Sequence, residues 1–275
     1  MVDWLEILRE CSETVREAVL PLLKAPQNQP SHRKGAGGDT THQIDRVAEN
    51  AIINTIKKHN IAFTLISEEA GIKKFGKKPE YYVTTDPIDG TTNALRGIPF
   101  VATSIAVSRK PNLQSVETAL VTDLYHNKIY TAQRNQGAYK NNKKIATSDT
   151  TRLETAVVGV DFNTYKTTQH INAITAILQN TKHPRHLGAD ALEICYVADG
   201  TSDAFVDLRG KLRVTDMAAA MLILIEAGGN VTTPEGEKLD APLSPTQKVS
   251  FIAAGNKTIH KRIKDLVMKY QRTVS

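Results

Sequence analysis

Apolar residues recur at steps of three and four from Asp3 to Leu23, where Trp4, Leu8, Cys11, Val15, Val19 and Leu22 would line one face of a helix. Pro21 and Pro26 are expected to end it. Gln27 to Gly38, rich in Pro, Gly and basic residues, reads as a mobile surface loop. A second stripe follows in Ile44, Val47, Ala48, Ala51, Ile52 and Ile56, with Asp39 or Thr40 in position to cap the helix. The period then changes to that of strands. Runs over 61–67, 81–85, 100–108 and 116–122 are β-branched or aromatic, and 128–133 with 138–145 reads as a hairpin turning through Asn135-Gln-Gly137.

Ser148 to Arg152 marks a junction, beyond which strands (156–162, 204–207, 250–254) alternate with helices (168–179, 189–198, 214–226, 257–270). Arg185-His-Leu-Gly188 is a short link into the helix at 189. The helix at 214–226 is apolar on nearly every side, which marks a buried helix, and Gly228-Gly229 closes it. The pattern implies an α/β (α+β) chain with an N-terminal α+β domain over residues 1–145, a C-terminal α/β domain over 146–275, and a crevice between them.

Composition narrows the class only a little. With 275 residues, 40% hydrophobic and 23% charged, the chain can bury a substantial core. No apolar run approaches a membrane span, and the acidic N-terminus does not resemble a secretory signal, so a cytoplasmic protein with no membrane partner is expected. Cys11 and Cys195 stand singly in apolar helical patterns and read as buried thiols. The net charge of +6 could mean a polyanion partner. Most of the excess, however, lies after Asn256 in Lys257, Lys261, Arg262, Lys264, Lys269 and Arg272, which reads as the solvated face of the last helix and not as a nucleic-acid site.

The chemistry gathers around Tyr82-Val-Thr-Thr-Asp86-Pro-Ile-Asp89-Gly-Thr-Thr-Asn93. Pro87 and Gly90 are expected to stop the strand, leaving two carboxylates at its end and a helix start at Thr91. Carboxylates recruit a hard cation such as Mg²⁺, and the amides of a helix start receive phosphate. Three more acids recur at element ends: Asp45 in the first turn of a helix, Glu68 after a strand, and Asp216 at the head of the apolar helix. Each has a plain reading too, since Asp-Pro and Asp-Gly are turn dipeptides and a carboxylate in a first helical turn is favoured by the dipole.

Together these segments resemble the inositol monophosphatase family. Glu68-Glu69, Asp86-Pro-Ile-Asp89-Gly-Thr-Thr-Asn93 and Asp216-Met-Ala-Ala carry the resemblance. Asp39 through Asp45, Gln136-Gly-Ala-Tyr139, Arg185 through Leu192 and Glu226-Ala-Gly-Gly229 support it. It implies a layered αβαβα sandwich of the sugar phosphatase type and Mg²⁺-dependent hydrolysis of small phosphate monoesters. Two or three ions are implied, with Mn²⁺ able to substitute. By resemblance, Glu68, Asp86 and the carbonyl of Ile88 would hold a first ion; Asp86, Asp89 and Asp216 a second; Glu68 and Asp45 a weaker third. Thr91 with Asp45 would orient the attacking water, and Lys34 would approach the metals from a loop. Gly90 and Thr91 would seat the phosphate, with Gly188, Asp190 and Asp207 near the substrate hydroxyls and Lys166, Arg185 or Arg209 at a second phosphate. Thr215 stands where many relatives have Trp, which resembles the archaeal-type branch acting on both inositol 1-phosphate and fructose 1,6-bisphosphate. The resemblance also implies a homodimer. A 3′-nucleotidase acting on adenosine bisphosphate, a catalytically silent relative and a basic nucleic-acid binder are the competing readings.

Overall fold

The first apolar stripe forms α1 (Trp4–Lys24), where Asp3 accepts the amide of Glu6 at 3.2 Å. The computed structural model describes residues 2–25, 31–34, 36, 40–163 and 170–271. Pro21 does not end α1. It is absorbed in the last turn, and the helix stops at Lys24 because Ala25 precedes Pro26 and a residue before proline is pushed out of the helical region. Within the segment expected as a loop, β1 (Ser31–Lys34) pairs antiparallel with β2 (Thr40–His42). Asp39 lies outside the described residues; α2 (Gln43–Lys58) begins after His42 instead.

Eight strands then form one sheet: β3 (Phe63–Ser67), β4 (Gly71–Phe75), β5 (Tyr81–Asp89), β6 (Ala102–Ser108), β7 (Val116–Asp123), β8 (Lys128–Gln133), β9 (Ala138–Lys140) and β10 (Lys143–Lys144), in the order β10-β9-β8-β7-β6-β5-β3-β4. Strand β4 carries no clear sequence signal, being an edge strand of Gly71, Ile72 and two lysines with few apolar residues. A short helix, α3 (Thr91–Arg96), follows β5 directly. The second half supplies β11 (Val157–Val160), α4 (Ile171–Asn180), β12 (His183–Arg185), α5 (Asp190–Ala198), β13 (Ala204–Arg213), α6 (Val214–Glu226), β14 (Asn230–Thr232), β15 (Lys248–Ala254) and α7 (Lys257–Gln271). Its strands make a second sheet in the order β12-β11-β13-β15-β14.

The layers follow from which faces are apolar. Helices α1 and α2 bury Leu8, Val15 and Ile52 against Leu65, Ile105 and Leu120 on one face of the large sheet. Its other face presents smaller side chains, Ala102, Ala106 and Ala119, to α6, whose residues from Val214 to Leu224 are all buried. Small residues on both surfaces let helix and sheet approach closely. Phe205, Phe251 and Ala253 of the second sheet cover the opposite side of this middle layer. Ile174, Ile177, Ile259 and Ile263 of α4 and α7 close the far face. The result is the expected αβαβα sandwich. Each fully buried Leu or Ile contributes roughly 1.5–3 kcal/mol, so the largely apolar α6 is a principal tie between the sheets. Both cysteines are buried, and the Cys11 thiol is pushed up to about 12, first by burial. On α7, Ile259, Ile263 and Val267 face the core while Lys257, Lys261, Arg262 and Lys269 are exposed. No helix among the described residues is long and apolar enough to cross a membrane.

Candidate active site

Parallel pairing of β3 and β5 puts Ser67 opposite Thr85, so the next residues, Glu68 and Asp86, emerge side by side at one edge of the sheet. In an unbroken strand Asp86 and Asp89, three apart, would point to opposite faces. The register of β5 against β6 shifts between them. Such an irregularity re-aims side chains and tolerates a proline that has no amide to pair, so Pro87 does not end the strand as expected. Thr103 donates to the Pro87 carbonyl at 2.7 Å, and the Ile88 amide donates to Asp86 Oδ1 at 3.0 Å. Gly90, at φ +88°, turns the chain into α3.

The other acids arrive on helix ends. Asp45 and Asp216 both occupy the third position of their helices, α2 and α6. There each accepts a backbone amide from the cap, from His42 at 2.6 Å and from Arg213 at 3.3 Å. Oxygens of Glu68, Asp86 and Asp216 all lie within 4.8 Å of one another, and the three residues are buried. Asp89 opens onto the same cavity of about 370 Å³, yet its carboxylate also accepts the amides of Asp190 at 3.0 Å and Ala191 at 2.8 Å, capping α5. Thr91 Oγ1 lies 3.1 Å from the Ile88 carbonyl and 3.4 Å from Asp45 Oδ1.

Burial of like charges raises the acids. Asp86 is pushed well above its ordinary 3.8, first by desolvation and then by Glu68, Asp216 and Asp89. Asp89 rises to about 7, by desolvation and then Asp216. Asp45 rises to about 7 by desolvation, against the pull of the His42 amide. Asp216 is raised by desolvation, with Arg213 opposing. Carboxylates this close need countercharge, and the all-oxygen donor set suits a hard divalent cation. A pH effect follows from the sign of the shifts. Raised acids hold protons in the folded state that the unfolded chain has released, so between pH 4 and 7 stability is lost as pH rises. EDTA-treated protein should therefore melt at a lower temperature at pH 8 than at pH 5. Mg²⁺ should stabilise it most at pH 8, where the carboxylates are ionised. A melting temperature that is flat or rising with pH would contradict the burial of these groups.

Residues 4–274 match the inositol monophosphatase family. The chain belongs to that family. It is 36% identical over 269 residues to a fructose-1,6-bisphosphatase/inositol-1-monophosphatase of Methanothermobacter thermautotrophicus, covering 94% of this chain and 95% of that one. It is 33% identical over 281 residues to a bifunctional NADP phosphatase/NAD kinase of Methanococcus maripaludis, covering 95% of this chain but 49% of that protein. Among solved structures it superposes on the MJ0109 gene product, an inositol monophosphatase-fructose 1,6 bisphosphatase, with a TM-score of 0.85 and 28% identity, covering 96% of this chain and all of that one.

Within this family member, Glu68, Asp86, Ile88, Asp89, Gly90, Thr91, Gly188, Asp190 and Asp216 all line the one cavity. Asp45 reaches it through its contact with Thr91. The other expected contacts are not brought there. Arg185 is exposed, donates to the Pro184 carbonyl, and borders a separate cavity of about 270 Å³ behind α5. Asp207 is fully buried and holds Arg209 at 2.6 Å, and the same guanidinium pairs with Asp161. Charge neutralisation within that buried trio leaves Arg209 without the free charge expected for a second phosphate. The Lys34 side chain and Lys166 lie outside the described residues. Three contributors went unread in the sequence. His42 and Arg213 line the cavity from the two helix caps. Glu49 of α2 bonds the Ser67 hydroxyl and the Ala70 amide (3.0 Å), holding the turn that carries Glu68. The spacing Arg213-x-x-Asp216, matching His42-x-x-Asp45, was the available signal.

Proposed function

We propose that the chain hydrolyses phosphate monoesters of small polyols and sugars, inositol 1-phosphate and fructose 1,6-bisphosphate among them, using divalent cations held by its clustered carboxylates. Family membership makes it a phosphatase, a phosphoric monoester hydrolase. The convergence of Glu68, Asp86 and Asp216 in one cavity carries the finer reading. Mg²⁺ fits such donors, and Mn²⁺ can substitute. Glu68, Asp86 and the Ile88 carbonyl would hold one ion, Asp86, Asp89 and Asp216 a second, and Glu68 with Asp45 a third.

Bound cations would neutralise the phosphate, lower the pKa of a water and stabilise the departing alkoxide. The protein's own groups supply placement and proton transfer. Thr91, donating its hydroxyl hydrogen toward Ile88 or Asp45, keeps lone pairs for orienting a water. Asp45, in contact with the Thr91 hydroxyl, is placed to accept the proton that water loses in attacking phosphorus. The Gly90 and Thr91 amides receive phosphoryl oxygens, and Gly188 and Asp190 face the hydroxyls of the polyol. Residues 1–145 and 146–275 are read as two domains meeting at this cavity. A homodimer in the cytoplasm, with neither membrane nor nucleic acid as partner, completes the reading.

The test is phosphate release under Mg²⁺ titration from inositol 1-phosphate, fructose 1,6-bisphosphate, adenosine 3′,5′-bisphosphate and NADP. Turnover of the first two, abolished by EDTA, is expected. The NADP phosphatase relative makes the nucleotide arm the specific alternative. Release from the nucleotides alone would move the reading to a nucleotide phosphatase.

A further inference from the structure

Arg213 precedes α6 and borders the acid cavity. Its Nη2 lies 2.7 Å from Glu68 Oε1 and its Nε 3.5 Å from Asp216 Oδ2. One guanidinium thus spans two of the three carboxylates whose oxygens converge within 4.8 Å. The arginine side chain is only 16% exposed, and those of Glu68 and Asp216 10% and 8%. A surface pair of this kind would contribute little, but charges sheltered from water interact more strongly. Arg213 also opposes the raising of both Asp86 and Asp216, so its charge is felt by more of the cluster than it touches.

A divalent cation seated among these oxygens would do the same electrostatic work and would find a like charge already beside it. We propose that Arg213 is a built-in counter-cation: it holds the acid cluster together in the metal-free protein and lowers the affinity of that cluster for divalent metal. The inference rests on the metal-dependent reading of the site. It makes Arg213 a positioning residue, acting through Glu68 and Asp216. Charge is the property that matters, so lysine should replace arginine better than glutamine does, despite losing the fork geometry.

Mn²⁺ binding to EDTA-stripped protein at pH 8, followed by electron paramagnetic resonance of the free ion, tests this in wild type, Arg213→Gln and Arg213→Lys. Removing one positive charge at this range should tighten Mn²⁺ binding by about tenfold or more in Arg213→Gln. Arg213→Lys should stay within about threefold of wild type. Metal-free Arg213→Gln should melt below wild type and recover when Mn²⁺ is added. Should it fail to fold without metal, folding induced by Mn²⁺ in the same titration supports the counter-cation role, and no recovery counts against it. A residue that only supported the fold would weaken binding on removal. Equal or weaker binding by Arg213→Gln, or equally tightened binding by Arg213→Lys, overturns the proposal while leaving the phosphatase reading intact. No Mn²⁺ uptake by wild type would overturn the metal-dependent reading and this inference with it.

Discussion

Asp86→Asn is expected to lower Mg²⁺-dependent phosphate release by about 10³-fold or more while raising the melting temperature of the metal-free protein. Both directions have one cause. Asp86 is 4% exposed, and its charge is opposed by burial and by Glu68, Asp216 and Asp89. An asparagine keeps the oxygen that accepts the Ile88 amide at 3.0 Å and removes the charge that the neighbours repel. The metal-free fold gains what the catalytic site loses. Activity assays and thermal melts in EDTA, both at pH 8, read the two arms. Residual activity within tenfold of wild type would show that Asp86 is no essential ligand, and a lower metal-free melting temperature would show that its charge is already well compensated.

Gly90→Ala is expected to destabilise the protein by about 2–4 kcal/mol and to cost on the order of 10²-fold in kcat/KM. Gly90 sits at φ +88°, where an L side chain is strained, and an added Cβ would meet the Gly188 carbonyl at 3.0 Å and the Phe100 carbonyl and Ala189 Cβ at 3.1 Å. Backbone on two sides cannot rotate away. The start of α3 with Thr91 would shift against the turn at 188–190, which Asp89 holds through two amides and Asn93 through the Leu187 carbonyl at 2.7 Å. Gly228→Ala separates strain from crowding, since φ there is +99° with nothing within 4 Å. It should cost only about 1–2 kcal/mol and leave turnover near wild type. Equal effects at the two positions, measured by denaturant unfolding and by kcat/KM, would remove the close approach at Gly90 as the cause.

The stripes in α1 and α2, the apolar run of α6 and the hairpin through Asn135 were legible because side-chain period reports local geometry directly. The boundaries that failed did so for identifiable reasons. Pro87 reads as a strand stop, yet it lies where β5 and β6 shift register and no amide is required. One second-phosphate candidate, Arg209, is engaged away from the cavity for a different reason. Arg209 looks like any other exposed cation along the chain, and only folding reveals that Asp161 and Asp207 have consumed its charge.

What the chain determined by itself was the type and order of its main helices and strands, the family motif, and acids placed at strand ends and in first helical turns, since each depends on neighbours a few residues away. Which acids share a cavity was decided by the tertiary structure alone. Parallel pairing of β3 and β5, a register shift between Asp86 and Asp89, and the docking of the α6 start bring acids as far apart in sequence as Glu68 and Asp216 into one cluster. The same packing excludes water from them, and only then do ordinary carboxylates acquire raised pKa values and a need for cations. Arg213 illustrates the limit. In sequence it is one basic residue before a helix, and its role exists only because folding sets its guanidinium between Glu68 and Asp216.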